Sequence, residues 1–286
     1  LMTLKECLDG AVAALAAQYG DGEARWLVRI VIEHVKGYSP VDVALKRDEP
    51  VSDFVSGKID AVVRRLLDGE PVQYIFGDTY WHGMELKVSP DVLIPRPETA
   101  ELVDMIANDN RGRKDLRVLD VGTGSGCIAI ALSRWLDFPQ VTAIDVSLPA
   151  LKVAMENAVS LKADVTFLHE DILAVLPPAC PQFDIIVSNP PYIVDSERDE
   201  MEKNVLEHEP QGALFVPDDD PLKFYHAIAR YATGALVGGG RLYFELNPLF
   251  ADRLKNELED SGEWENVIVS LDMQRRQRFL TATRRS

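Results

Sequence analysis

An apolar run, Ile185-Ile186-Val187, ends abruptly in Ser188-Asn189-Pro190-Pro191-Tyr192, and no other stretch restricts the fold so tightly. β-Branched residues in a run of this length read as a central strand, here 182–188. Neither proline can extend it, because each fixes φ and lacks a ladder donor. Asn189 and Tyr192 are therefore held at the carboxyl edge of the strand, where open α/β sheets bind their ligands. The side-chain carbonyl of Asn189 and the main-chain carbonyl of Pro190 can together accept both hydrogens of a planar NH2 group. Tyr192 can stack on the face of that group. A tip built this way reads an amide or an aromatic amine. An Asn-Pro on its own is more often a plain turn, so the rest of the chain decides.

Around the tip, strands over 116–121, 140–145, 164–169 and 241–246 alternate with helices over 125–136, 148–160, 221–236 and 249–260. Ser147 and Pro149 suit the N-cap and first turn of the second of these helices. The alternation predicts an α/β fold, a parallel sheet with helices on both faces. Strands near 265–271 and 278–283 follow with no helix between them, which predicts an antiparallel hairpin at a sheet edge.

Upstream, residues 3–67 read as helical, with Leu4, Leu8, Val12 and Leu15, then Trp26, Ile30 and Val31, at helical spacing. A helix over 52–67 places Phe54, Val55, Ile59, Val62, Val63, Leu66 and Leu67 on one apolar face. Gly20, Gly22, Gly37 and Gly69 mark the breaks. His34 reads as structural or solvated rather than as a ligand. Residues 72–77 and 84–88 are β-like runs around Trp81-His82-Gly83, a hairpin connector. Pro95-Arg96-Pro97-Glu98-Thr99 then opens a helix to about 107. The expected organisation is a helical domain (1–70), a β-hairpin linker (71–95) and a large α/β domain (96–286).

Gly122-Thr123-Gly124-Ser125-Gly126 lies between the first sheet strand and its helix. Glycines there permit a sharp turn and close ligand approach. Cys127 stands where a pyrophosphate-binding loop needs its last glycine, and no Lys-Ser/Thr pair follows to make a P-loop. Asp145 ends the second strand, where a carboxylate can accept from a ribose diol. Asp171 follows the third strand, placed to meet an adenine amino group, with Ile172 as an apolar wall. Asp120 precedes the loop and can fix it or face a cation. A positively charged nucleoside without phosphates fits these groups better than a dinucleotide, and S-adenosylmethionine is such a ligand.

A formal charge of −16 argues against tight binding to a phosphate backbone. Arg275, Arg276, Arg278, Arg284 and Arg285 cluster near the terminal hairpin and read as a solvated edge. Cys7, Cys127 and Cys180 show neither a disulfide framework nor zinc spacing, which suits a reducing cytosol. No uncharged run is long enough to span a bilayer.

The stretches Pro71–Ile75, Leu93–Thr99, Asp120–Ala131 and Val187–Ile193, with Glu209-Pro210 and Ala213-Leu214, resemble those of the HemK/PrmC family. Its members are protein-(glutamine-N5) methyltransferases that modify peptide chain release factors. The resemblance implies a Rossmann-like class I S-adenosylmethionine-dependent methyltransferase sheet with a small N-terminal helical domain that positions the release factor. It implies cofactor contacts at Gly122, Thr123, Gly124, Ser125, Gly126, Asp145, Asp171, Ile172 and Asn189. Asn189, Pro190, Pro191 and Tyr192 would hold the substrate glutamine of a Gly-Gly-Gln loop, with Asn189, Pro190 and Tyr192 catalytic. A cytoplasmic monomer without direct nucleic-acid or membrane contact is expected. Val216–Pro221 and Asn247-Pro248 depart from the glycine-containing family pattern at the rim. Residues 194–220 are acidic and helix-ambiguous, a candidate lid. The competing readings are an amino-methyltransferase acting on a base in DNA or RNA, which shares the tip, and a non-catalytic nucleoside-binding protein.

Overall fold

The structure, a computed structural model, describes residues 2–180, 182–201 and 203–286. It divides into two compact units, Leu1–Gly77 with Glu202–His208, and Asp78–Met201 with Glu209–Ser286.

The first unit is helical, with α1 (Leu4–Lys36), α2 (Pro40–Leu45), α3 (Asp53–Leu67) and α4 (Val72–Phe76). Thr3 with Glu6, and Ser39 with Asp42, form reciprocal capping boxes that start α1 and α2. Gly20 (φ 76°, ψ 160°) breaks α1 as the sequence predicts, whereas Gly22 stays helical. The break resets the helical phase, so Leu27, Val28, Val31 and Ile32 take the core side. Trp26, expected on the apolar face, is 49% exposed, and Phe54 is 72% exposed beneath the Lys58 ammonium. His34 stacks on Phe76 with ring centroids 4.0 Å apart, a packing role.

Residues 72–77 are not the first hairpin strand. The Pro71 carbonyl accepts from the N–H groups of Tyr74 and Ile75, closing a helical turn, and Gly77 (φ 82°) ends it. Local β propensity is overridden by this turn and by burial of Val72 and Tyr74. The hairpin is β1 (Asp78–Trp81) with β2 (Met84–Lys87). Its two turn residues, His82 (φ 47°) and Gly83 (φ 73°), have the positive φ that such turns require.

The second unit continues with α5 (Pro97–Asp109), β3 (Arg117–Val121), α6 (Cys127–Trp135), β4 (Gln140–Asp145), α7 (Leu148–Leu161), β5 (Val165–His169), β6 (Phe183–Ser188) and β7 (Ile193–Val194). A 3-10 turn (Asp195–Glu200) precedes α8 (Lys203–His208), the segment grouped with the first unit. Then come α9 (Gln211–Leu214), β8 (Phe215–Val216), α10 (Lys223–Ala235), β9 (Leu236–Glu245), α11 (Ala251–Asp260), β10 (Trp264–Leu271) and β11 (Gln277–Arg284). The candidate lid thus contains several short elements, with β7 paired to β8.

The seven-stranded sheet runs β10-β11-β9-β6-β3-β4-β5. The five strands β9, β6, β3, β4 and β5 are parallel, and β11 and β10 are antiparallel additions at one edge. Ile185 and Val187 face one core with α5 and α6, whereas Ile186 faces the other with α10 and α11. Burial on both faces explains why β6 is an unbroken apolar run rather than an alternating one. β9 begins five residues before the predicted strand, because Gly238, Gly239 and Gly240 are absorbed into it. No helix among the described residues is long and apolar enough to cross a membrane.

Candidate active site

Chain order reverses direction at β3, since β4 and β5 lie on one side of it and β6 on the other. Ligand crevices form at such a switch point, outside the carboxyl ends of the strands. The register pairs Val121 with Ser188, so the glycine loop after β3 and the Asn-Pro-Pro tip after β6 start side by side. Both line one cavity of about 320 Å³, shared with Asp145, Asp171 and Ile172. Of the predicted site residues, Gly126 and Tyr192 are the two outside its wall.

The loop is fixed mainly from behind. Asp145 accepts from the Gly124 N–H (2.9 Å) and, through its other oxygen, from the Ser147 N–H (2.8 Å). One carboxylate therefore shapes the loop and also faces the cavity. A Cβ added at Gly122 (φ 73°) or Gly124 (φ 55°) would meet nothing within 4 Å, so both open onto free space. Gly126 (φ 82°) does the opposite, since a Cβ there would lie 3.1 Å from the Ala154 Cβ and from Ile130 Cδ1. Its role is the close packing of α6 on α7. Asn157 of α7, buried, accepts from the Lys87 N–H (2.7 Å) and donates to the Lys87 and Ser125 carbonyls (3.0 and 2.9 Å), tying hairpin to loop. Asp171 is exposed, and one of its oxygens accepts from the Leu173 N–H.

Asp120 is fully buried under the loop. One oxygen accepts from Thr123 Oγ1 (2.7 Å) and the Ala129 N–H (3.2 Å), while the other has no partner. Burial foremost pushes its pKa from 3.8 to about 7. Cys127 opens α6, yet burial pushes its thiol up to about 12, so it is no nucleophile at neutral pH.

At the tip, Asn189 Nδ2 donates to Thr99 Oγ1 (3.1 Å), and Thr99 Oγ1 donates to Glu245 Oε2 (2.7 Å). The Tyr192 hydroxyl donates to Glu245 Oε1 (3.2 Å). Tyr192 thus sits one step behind the cavity wall, and burial together with the Glu245 charge raises its pKa. Arg96, at the wall, donates to the buried Glu209 (2.6 Å), whose second oxygen has no partner.

Thr99, Glu245 and Asn157 were not singled out from sequence. Glu245 had a signal, a carboxylate directly after the apolar run Leu242-Tyr243-Phe244. Both departures from the expected family pattern fasten one rim segment. Asn247 Nδ2 donates to Glu197 (2.8 Å) and to the Tyr192 carbonyl (3.1 Å), and Asp218 accepts from the Ser196 N–H and hydroxyl (3.0 and 2.6 Å).

Comparison with known proteins gives this site a context. The family described as PrmC N-terminal domain matches residues 6–77, and that described as Methyltransferase small domain matches residues 98–214. A release factor glutamine methyltransferase of Bacteroides thetaiotaomicron is 41% identical over 93% of this chain and 95% of its own length. The chain belongs to the release factor glutamine methyltransferase family. Another member, from Flavobacterium psychrophilum, is 40% identical over 95% of this chain and 96% of its own. A Pyrococcus furiosus methyltransferase of solved structure is similar in fold (TM-score 0.51, 16% identity, 79% of this chain, all of that one). In the release factor glutamine methyltransferase fold seen here, the sheet is the class I methyltransferase sheet expected from the sequence.

Proposed function

We propose that this protein transfers a methyl group from S-adenosylmethionine to the side-chain amide N5 of the glutamine in the Gly-Gly-Gln motif of peptide chain release factors. The observation that carries the reading is the single cavity shared by the glycine loop and the Asn189 tip. The open backbone at Gly122 and Gly124, the acceptor carboxylates of Asp145 and Asp171 and the apolar side chain of Ile172 suit a nucleoside. When bound, the cofactor supplies an electrophilic methyl on a sulfonium.

An amide nitrogen is a poor nucleophile because its lone pair is delocalised into the carbonyl, so orientation has to supply much of the catalysis. Asn189 Oδ1 and the Pro190 carbonyl accept the two hydrogens of the substrate NH2 and favour positive charge developing on nitrogen. Pro191 stiffens the tip. Tyr192, bonded to Glu245, holds the segment that carries them. The methylated nitrogen is strongly acidic and gives its extra proton to water, so no side chain is needed as base. Cys7, Cys127 and Cys180 are free, in keeping with a reducing cytosol, where release factors are met.

The first unit is the docking element for the release factor in this reading. An open groove there is floored by Leu8, Val28 and Ile32 and, beside the one carboxylate Asp9, rimmed by Lys5, Arg25, Arg29 and Arg47. Those four are a large share of the nine Lys and Arg up to Gly77, in a chain of net −16. Such a rim steers an acidic protein surface. Reversing Arg25 and Arg29 to Glu is expected to raise KM for full-length release factor about 10-fold and leave a short Gly-Gly-Gln peptide unaffected. Equal KM values for wild type and variant would remove the groove from the account.

Nucleic acid is the competing substrate. Three of the five terminal arginines are already engaged, since Arg278 pairs with Asp272, Arg284 with Glu263, and Arg285 bonds the Trp264 carbonyl. Offering labelled methyl donor with release factor, DNA or RNA tests the choice. Label is expected in the protein alone.

A further inference from the structure

We propose that Glu245, acting through Thr99, sets which end of the Asn189 amide faces the cavity, and so makes the site select an amide over a carboxylate. The inference rests on the reading of Asn189 as the group that receives the substrate NH2.

An Asn side chain carries an acceptor and a donor of nearly the same shape, and only its partners decide which points where. If Nδ2 faced the cavity, it would oppose the hydrogens of a glutamine amide and suit a glutamate instead. Thr99 resolves the choice. Its hydroxyl has one hydrogen, spent on Glu245 Oε2 at 2.7 Å. Toward Asn189 it can then only accept, and Nδ2 donates to it at 3.1 Å. Oδ1, which no protein group bonds among the described residues, is left for the ligand. The polarity of the chain starts at Glu245, which as a carboxylate accepts from both Thr99 and Tyr192. Thr99 is 2% and Glu245 1% exposed, so water does not compete for these bonds.

Protonation of Glu245 would reverse the chain. A neutral carboxyl can donate to Thr99 Oγ1, freeing the threonine hydrogen for Asn189 Oδ1 and favouring the flipped amide. The groups facing Glu245 are Thr99 and Glu98 of α5, Tyr192, Arg278 of β11, Cys127 of α6 and Tyr225 of α10, whose hydroxyl bonds the Glu245 carbonyl. Arg278, Thr99 and Tyr192 favour the charged form, but burial outweighs them and pushes the pKa from 4.5 to about 7. The sign is fixed by that shift. The productive orientation is held above about pH 7 and is lost as pH falls through that value.

The test compares binding of two peptides, one carrying Gly-Gly-Gln and one with Glu replacing that glutamine, by titration calorimetry at pH 8.5. The wild type is expected to prefer the glutamine peptide about 100-fold, because a mismatched polar group is left facing an unpaired partner. Thr99→Val keeps the shape, removes the hydroxyl and should narrow the preference to under about 10-fold, while Thr99→Ser restores it. In the wild type, kcat/KM should fall as pH drops through about 7, where Glu245 and Asp120 both titrate, and Glu245→Gln should remove the Glu245 share and leave a shallower fall of one proton. Should Thr99→Val not fold, Thr99→Ala carries the same comparison. A wild type that selects glutamine alongside a Thr99→Val that selects it equally well overturns this inference alone. A wild type that binds neither peptide nor methylates the release factor overturns the proposed function as well.

Discussion

Asn189→Ala is expected to cut kcat for methylation of a release factor by at least about 100-fold, the loss typical when one preorganised polar group is removed from a developing charge. Cofactor affinity, measured by calorimetry on the same sample, should change little, because the glycine loop and Asp145 hold each other without help from Asn189. The split between the two readouts matters. Asn189 bonds Thr99 within the wall, so its removal also leaves that hydroxyl with one unused lone pair, a minor cost beside the lost substrate contact. Near-normal turnover would mean that the tip positions nothing.

The second large effect is one of stability. Gly126→Val is expected to lower the melting temperature of the second unit by roughly 10 °C. Two costs combine. A branched residue at φ 82° pays about 1–2 kcal/mol for the left-handed backbone. Forcing a side chain against the Ala154 Cβ and Ile130 Cδ1, each 3.1 Å from the new Cβ, adds about 1–3 kcal/mol of overpacking. At about 2–4 °C per kcal/mol for a domain of this size, the sum gives the stated shift. Cofactor affinity should fall too, because the displaced turn carries Gly124 and Ser125. An unchanged melting curve would show that α6 and α7 are not held together at this glycine.

The two glycines of the loop that face the cavity and the one that faces α7 look the same in sequence. Their difference, open space against a 3.1 Å approach, depends on where another helix passes, which spacing does not encode. The strand that ends at Ser188 was legible for the converse reason. A run apolar on both faces and two prolines after it are local facts, and they dictate both burial and termination. Residues 72–77 misled because Val, Tyr, Ile and Phe favour a strand, while the decisive event was a turn closed on the Pro71 carbonyl. Trp26 and Phe54 kept helical spacing but lost their face, the first to a change of phase at Gly20.

Within the site, the groups that touch the cavity were readable and those that hold them were not. Asn189, Asp145 and the loop announce themselves by residue type at a strand end. Thr99 lies 90 residues from Asn189 and Glu245 lies 146 from Thr99; the pairing of β9 with β6 and the packing of α5 against that sheet bring them together. Asn247 and Asp218 read as departures from the family pattern. In the structure they are the side chains that fasten the segment beside Tyr192.

Mass mapping of a release factor after incubation with this protein and S-adenosylmethionine tests the account at its centre. One added methyl on the side-chain nitrogen of the Gly-Gly-Gln glutamine is the predicted result. A methyl group on any other residue, or on nucleic acid with the release factor left bare, would contradict it.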